Sequence, residues 1–375
     1  MDPQLFALLR QFYALTPPRS LQFPRSCPYQ TINEFLVNDI LQSPHFQRYP
    51  PSSQYQNRFW KWVIQSLEDA SSRANEEEAY FEIDSQIYDH YLALDSSSDR
   101  ATNMSLPGPS LLLPSSPSYI THFWNPQDEQ ISPRTMVDLS HYQTTTLLES
   151  RNLIESGTTG LRTWLASFVL SQYLILHPEL IASKRILELG SGIGFLGIIV
   201  CTLQQLQKTR ESLPIGSLWL TDVNDEVLAR CRDNIRLPCN LSSLHPDVSY
   251  LKLDWSESLD PRQPNILATL VHEKVKPELI LGADIVFDPS LIPALIGTLR
   301  IALQSIGPGD RSKVALIALT LRNESTMQQF ISHVRDSSFS IQEIDVGFRT
   351  TSFSETVEAN NYPENVKLFR ITAVT

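Results

Sequence analysis

The sequence predicts an α/β fold: a doubly wound, mostly parallel sheet with a C-terminal antiparallel hairpin, preceded by a helical N-terminal segment. Three observations predict it. From about residue 140 the chain alternates short β-rich runs with helical ones, as parallel strands joined by crossover helices do. Glycine is scarce, 13 in 375 residues, yet Gly190, Gly192, Gly194 and Gly197 fall together directly after one such run. A chain that otherwise avoids glycine has concentrated it where the backbone must turn tightly or approach something closely. Residues 1–95, by contrast, carry apolar side chains at three-and-four spacing.

In that first segment Leu5, Leu8, Leu9, Phe12 and Tyr13 form one apolar stripe, and Ile32, Phe35, Leu36, Ile40 and Leu41 form another. Prolines separate the stripes, and the stretch from Phe59 to Leu94 continues the helical pattern. A small helical bundle or a packed extension fits this pattern, and a substrate-docking module is the alternative. Residues 96–139 read as a Ser/Pro-rich linker or long loop, because SSSDRATNMSLPGPSLLLPSSPS holds too little apolar surface to order itself.

The α/β domain is expected over 140–375. Thr144–Glu149 has β character, and a turn at Gly157–Gly160 leads into an apolar helix over Leu161–Leu176. Strands follow at Arg185–Leu189, Leu218–Thr221, Val248–Leu253, Leu279–Asp284 and Val314–Leu319. Between them lie a helix that the glycine loop opens into, through Ile198, Ile199 and Cys201, and helices at Glu226–Leu237 and at Leu291–Leu303, with a further one from about Glu324. Ile341–Phe348 and Val366–Ala373 are placed to pair as the closing hairpin.

Composition excludes several classes. Thirty basic against 41 acidic side chains give a net charge of −11, which argues against a protein that binds nucleic acid through bulk positive charge. Cys27, Cys201, Cys231 and Cys239 show neither CxxC spacing nor a nearby histidine cluster, so no disulfide framework and no metal site is expected. The apolar stretch Trp164–Leu176 is too short to span a bilayer, and MDPQLFALLRQFY has no signal-peptide pattern. A cytoplasmic protein is the expectation.

The chemistry concentrates at successive strand ends. ILELGSGIGFLG places Gly190 at the end of one strand and Gly192, Gly194 and Gly197 at the start of a helix, the usual floor of a ligand site in an open parallel sheet. Read from Gly192 the stretch also satisfies the dinucleotide fingerprint, which keeps a nicotinamide-dependent oxidoreductase open. Glu188 within the strand sits uneasily with that fingerprint, and no lysine follows to make a phosphate-binding P-loop. Asp222 ends the next strand, where a carboxylate can accept from both hydroxyls of a ribose. Its other reading is a helix cap, for which Asp225 is the better candidate. Asp254 and Trp255 end the third strand, where an aromatic plane beside an acceptor suits adenine. Asp284 and Phe287 end the fourth, a carboxylate and a ring suited to an amine; the other reading of Asp284 is a loop residue that caps the helix after Pro289. Trp164 is either core or a lid.

These residues resemble a known family. ELGSGIG, Asp222 after a strand, LDW and GADIVFD, in this order, look like the seven-β-strand S-adenosylmethionine-dependent methyltransferases. GTTGLRTWLASFVLSQYL, with D-x-x-F in place of the commoner D-x-x-Y, resembles methyltransferase family 16, the protein-lysine methyltransferases. The closest likeness is to a fungal-like form of the members that methylate a lysine of translation elongation factor 2. That resemblance implies a seven-stranded sheet and S-adenosyl-L-methionine as cofactor. It also implies a protein substrate, elongation factor 2, for a monomer without membrane or direct nucleic-acid contact. Expected cofactor contacts are Trp164, Glu188, Gly190, Ser191, Gly192, Asp222, Asp254, Trp255 and Ala283, and Asp284 and Phe287 stand beside the acceptor lysine. Phe287 lacks the phenol that the commoner tyrosine would bring. Rival readings are a methyltransferase of small molecules or nucleic acid, and an inactive cofactor-binding interaction protein.

Overall fold

The alternation of strands and helices after residue 184 folds as it reads, whereas the stretch before it holds a second sheet that the composition concealed. The computed structural model describes residues 1–71, 82–102, 117–127, 136–152, 154–155, 157–260, 264–305, 312–347, 352–353, 355 and 365–374. They form two units, one of Met1–Asn125, Glu129–Asn152 and Glu355–Val357, the other of Pro126–Asp128, Leu153–Ser354 and Glu358–Thr375.

The first unit is helical with one small sheet. α1 (Pro3–Tyr13) starts where the Asp2 carboxylate accepts the Gln4 N–H and Pro3 takes the first turn, where its missing N–H costs nothing. α2 (Tyr29–Phe35) runs on through a π-helical turn, Leu36–Leu41, and α3 (Pro44–Arg48), α4 (Ser53–Ser71) and α5 (Ser85–Thr102) follow. Their apolar stripes meet in a core of Phe6, Phe12, Ile32, Ile40, Phe59, Trp60 and Leu67. The helix α5 covers 96–102, and β1 (Ser118–Trp124) occupies another part of the expected linker; 103–116 and 128–135 lie outside the described residues. β1 escapes notice because its neighbours are serine and proline, yet YITHFW is β-branched and aromatic. It pairs antiparallel with β2 (Gln143–Glu149), so β2 belongs to this unit rather than to the α/β domain expected from residue 140. Buried side-chain bonds from Trp124 Nε1 to Thr145 Oγ1 and between the Thr121 and Thr146 hydroxyls, each 3.0 Å, fix that pairing.

Among the described residues, the second unit carries seven strands and the helices between them. In chain order they are α6 (Leu165–Leu176), β3 (Arg185–Leu189), α7 (Phe195–Glu211), β4 (Ser217–Asp222), α8 (Asp225–Ile235), β5 (Val248–Lys252), α9 (Pro264–Thr269), β6 (Leu279–Ala283), α10 (Ile292–Leu303), β7 (Val314–Thr320), α11 (Glu324–Asp336), β8 (Phe339–Ile344) and β9 (Val366–Ala373), helices interleaved. The strand order is β5-β4-β3-β6-β7-β9-β8. The first five run parallel, and β9 is antiparallel to both β7 and β8. β8 begins two residues before the expected start and ends at Ile344; residue 348 lies outside the described residues. β3, β6 and β7 are buried along most of their length and, apart from Arg185, Glu188 and Thr320, carry apolar side chains or glycine because helices cover both faces, whereas the edge strand β5 is only half-buried. α9, α10 and α11 close one face over Ile280, Leu295, Leu299, Ile317, Phe330 and Phe369.

Candidate functional site

The strand order reverses between β3 and β6, which opens a crevice at their carboxyl ends. β3 stops at Leu189, and the chain turns into α7 with φ of 65°, 52° and 91° at Gly190, Gly192 and Gly194. Only glycine adopts that succession without strain. Gly190 is also held by its neighbours, since a β-carbon there would lie 2.9 Å from Ile285 Cγ2 and 3.7 Å from the Trp255 ring. Ser191 ties the loop to β4. Its N–H donates to the Thr221 carbonyl (2.7 Å), and its hydroxyl accepts the Thr221 N–H (2.9 Å). The same hydroxyl donates to the Glu188 carbonyl at 3.4 Å, so Ser191 is occupied in holding the loop.

Two carboxylates lie beneath and beside this loop. Glu188 is buried within β3, and its Oε2 has no hydrogen-bond partner. Burial first, and the charge of Asp222 second, push its carboxyl up to about 8. Asp222 is half-buried at the end of β4; burial raises its carboxyl too, against the backbone N–H groups of Asn224, Gly192 and Val223. Neither Asp222 nor Asp225 caps α8. That role falls to Asn224, whose Oδ1 accepts the N–H groups of Glu226 (2.9 Å) and Val227 (3.2 Å), while Asp225 pairs with Lys252. Asp222 is therefore not occupied in capping a helix.

β5 stops at Lys252, so Asp254 and Trp255 follow the strand rather than end it. Asp254 is exposed and caps a 3-10 turn by accepting the Ser256 N–H at 2.9 Å. Trp255 is half-buried, packed on the α9–α11 core with its ring toward Gly190. Trp164 stands at the cap position of α6 with extended backbone, not on the helix as the apolar run implied. Its Nε1–H donates to the Thr159 carbonyl (3.1 Å), and the guanidinium groups of Arg162 and Arg322 lie 5.6 and 5.0 Å from its ring centre.

At the end of β6, Ala283 leads into Asp284, which adopts φ +56°. The Asp284 N–H donates to the Ala318 carbonyl (2.8 Å), and its carboxylate receives three bonds from the end of β7. They come from the Thr320 N–H to Oδ1 (2.8 Å), and from Thr320 Oγ1 (2.9 Å) and Arg322 Nη2 (3.0 Å) to Oδ2. The Asp284 side chain is 4% exposed. Phe287, three residues on, is 58% exposed. The helix after Pro289 is capped by Asp288, which accepts the Ser290 N–H, so Asp284 does not serve as that cap.

Gly190, Ser191, Gly192, Glu188, Asp222 and Trp255 thus come together around one turn, and Asp284 sits one strand away with Arg322 bridging it to Trp164. Thr320 and Arg322 were not picked out by sequence. Their signal lies in TLRN, which places a basic residue directly after the fifth strand, one strand end beyond the four that carry the glycine turn and the carboxylates.

Comparison with known proteins then bears on what the crevice serves. The model of the lysine methyltransferase family matches residues 145–337, just over half of the chain. The chain belongs to the lysine methyltransferase family. The matched stretch of this family member contains every site residue from Trp164 to Arg322. The protein-lysine N-methyltransferase EFM3 of Chaetomium thermophilum is 35% identical over 197 residues, 52% of this chain and 53% of its own. The human protein-lysine N-methyltransferase EEF2KMT is 32% identical over 191 residues, 50% of this chain and 54% of its own. The chain therefore spans about half the length of these relatives. An uncharacterized Dictyostelium discoideum protein aligns further, 26% identical over 351 residues, 88% of this chain and 84% of its own. Among the described residues of this lysine methyltransferase family member, no helix is long and apolar enough to cross a membrane. None of its described His, Cys, Asp and Glu residues form a cluster of three suited to a metal ion.

Proposed function

We propose that this chain is an S-adenosylmethionine-dependent protein-lysine N-methyltransferase acting on a lysine of translation elongation factor 2. One observation carries the reading: the buried, unpartnered oxygen of Glu188 beneath a loop that sets Gly190 against Trp255. A buried acceptor without a donor is costly, and a cationic ligand group would supply the donor. The rest of the turn suits an adenosine: Asp222 for the ribose hydroxyls, the Trp255 ring with Asp254 for the base, and Gly190, Ser191, Gly192, Ala283 and Trp164 for floor and walls. S-adenosylmethionine bound there supplies a methyl group on a positively charged sulfur, which a neutral amine takes while the carbon–sulfur electron pair stays on sulfur and the amine's surplus proton leaves to water.

The chain's own contribution is positioning. Asp284 orients the acceptor nitrogen, and the exposed Phe287 ring forms an aromatic wall for the lysine stem. A free lysine is mostly protonated at pH 7, and exposing its neutral form costs roughly 4–5 kcal/mol. Elongation factor 2 as substrate is supported by GTTGLRTW and by the relatives EFM3 and EEF2KMT. In this reading the protein is a cytoplasmic monomer that touches neither membrane nor nucleic acid.

Incubating the purified chain with labelled cofactor and purified elongation factor 2 tests the reading. Label on a lysine of that factor is expected. Label only on some other protein overturns the substrate, and no calorimetric heat with S-adenosylmethionine or its demethylated product overturns the whole.

A further inference from the structure

The carboxylate of Asp284 is not a bare anion. Thr320 N–H and Oγ1–H and Arg322 Nη2 already bond to it at 2.8, 2.9 and 3.0 Å. A carboxylate offers about four acceptor positions, so these three leave one open, on the Oδ1 that takes the Thr320 N–H alone. The Arg322 guanidinium is fixed in turn by the Trp164 ring 5.0 Å away, although its side chain is 43% exposed. Arg322 thus joins the residue expected over the cofactor to the residue expected beside the acceptor.

That arrangement answers a difficulty in the chemistry. An uncompensated carboxylate beside a lysine raises the lysine's pKa by about 1–3 units and holds it as the unreactive ammonium. We propose that Arg322 is a positioning residue that keeps the acceptor lysine neutral: by balancing the charge of Asp284 it leaves that carboxylate an acceptor for an uncharged amine rather than a counter-ion for an ammonium. The inference rests on the reading that Asp284 stands beside the acceptor lysine. The other charges around the pair do not take over this role. Arg162 shares the Trp164 ring at 5.6 Å and adds to the positive side. Glu188 is buried on the neighbouring strand β3, and Asp288 bonds the Ser290 N–H. From α11, Glu324 is bonded to Gln328; from β9, Lys367 is paired with Glu343; α6 contributes no charged side chain.

The test is the pH profile of kcat with purified elongation factor 2, together with affinity for that factor in the presence of the demethylated cofactor. Arg322→Gln is expected to move the rising limb upward by about one pH unit, about tenfold slower on the limb and recovering at high pH. Its affinity for the factor is unchanged or tighter, because the protonated lysine now has a counter-ion. Arg322→Lys keeps the limb in place. Asp284→Asn combined with Arg322→Gln removes both charges, and its limb returns to the unsubstituted position; this pair also serves if the single variant fails to fold. A loss by the same factor at every pH, or no change at all, overturns the inference. Absence of any transfer by the unsubstituted chain overturns the functional reading, and the inference with it.

Discussion

Trp255 closes over Gly190: ring carbons of the tryptophan would lie 3.7 and 3.8 Å from a β-carbon at that glycine, and Ile285 Cγ2 would lie 2.9 Å from it. The last distance is closer than side chains tolerate, and φ of +65° already disfavours any residue but glycine. Gly190→Ala is therefore expected to cost about 1–2 kcal/mol of stability and to weaken S-adenosylmethionine binding at least tenfold. Differential scanning and titration calorimetry read the two effects, and unchanged affinity would contradict the placement of the turn under the cofactor.

Glu188 has its carboxyl raised from 4.5 to about 8 by burial and by Asp222. A carboxyl raised in the folded state favours folding most at low pH and loses that contribution as pH rises from 4.5 through about 8. Glu188→Gln keeps the neutral shape, so the variant should match the parent near pH 5 and become more stable than it, by about 1–3 kcal/mol, near pH 8. A cationic ligand at this oxygen also expels its proton. Titrations at pH 7 in buffers of different ionisation heat should show proton release on cofactor binding by the parent and none by the variant.

Asp284→Ala removes the acceptor from Thr320 and Arg322 and places a β-branch-free but still chiral residue at φ +56°. Stability should fall by about 1–3 kcal/mol and methyl transfer by about a hundredfold, with cofactor affinity within about twofold. Equal loss of affinity and transfer, measured by calorimetry and by initial rates, would remove Asp284 from the acceptor side.

The helical unit should be sensitive to acid. Burial holds the imidazole of His45, 2.9 Å from Thr121 Oγ1, down at about 4. Burial and then the Arg10 charge hold His122 at about 3. Both lie below the unperturbed 6.5, so stability is intact above that pH and is lost as pH falls through the window towards 4 and 3. For His122 the loss reaches about 2–3 kcal/mol by about pH 4.5. His122→Gln should flatten the acid limb of the unfolding midpoint against pH, and an unaltered limb would mean that other groups set it.

The strand ends were legible because parallel strands buried on both faces leave little freedom in sequence: RILEL, LILGA and VALIALT read plainly, and a glycine cluster after a strand has few uses. β1 was not, since a seven-residue strand between serine-rich neighbours gives too short a pattern to outweigh composition. Trp164 was drawn into α6 because apolar periodicity does not mark where a helix begins without a polar cap, and no side chain caps this one. Arg322 was missed for a different reason. Its importance lies in two partners, Asp284 and Trp164, that are 38 and 158 residues away in sequence and meet only when β6 and β7 align.

The order β7-β9-β8 has a consequence for biosynthesis. β8 leaves the ribosome before β9, yet among the described residues its sheet neighbour is β9. Until residues 366–373 emerge, β7 presents an unpaired apolar border and β8 lacks the strand it pairs with. Nascent chains halted anywhere short of that segment should need a chaperone to stay out of aggregates, however complete the glycine turn and its carboxylates already are.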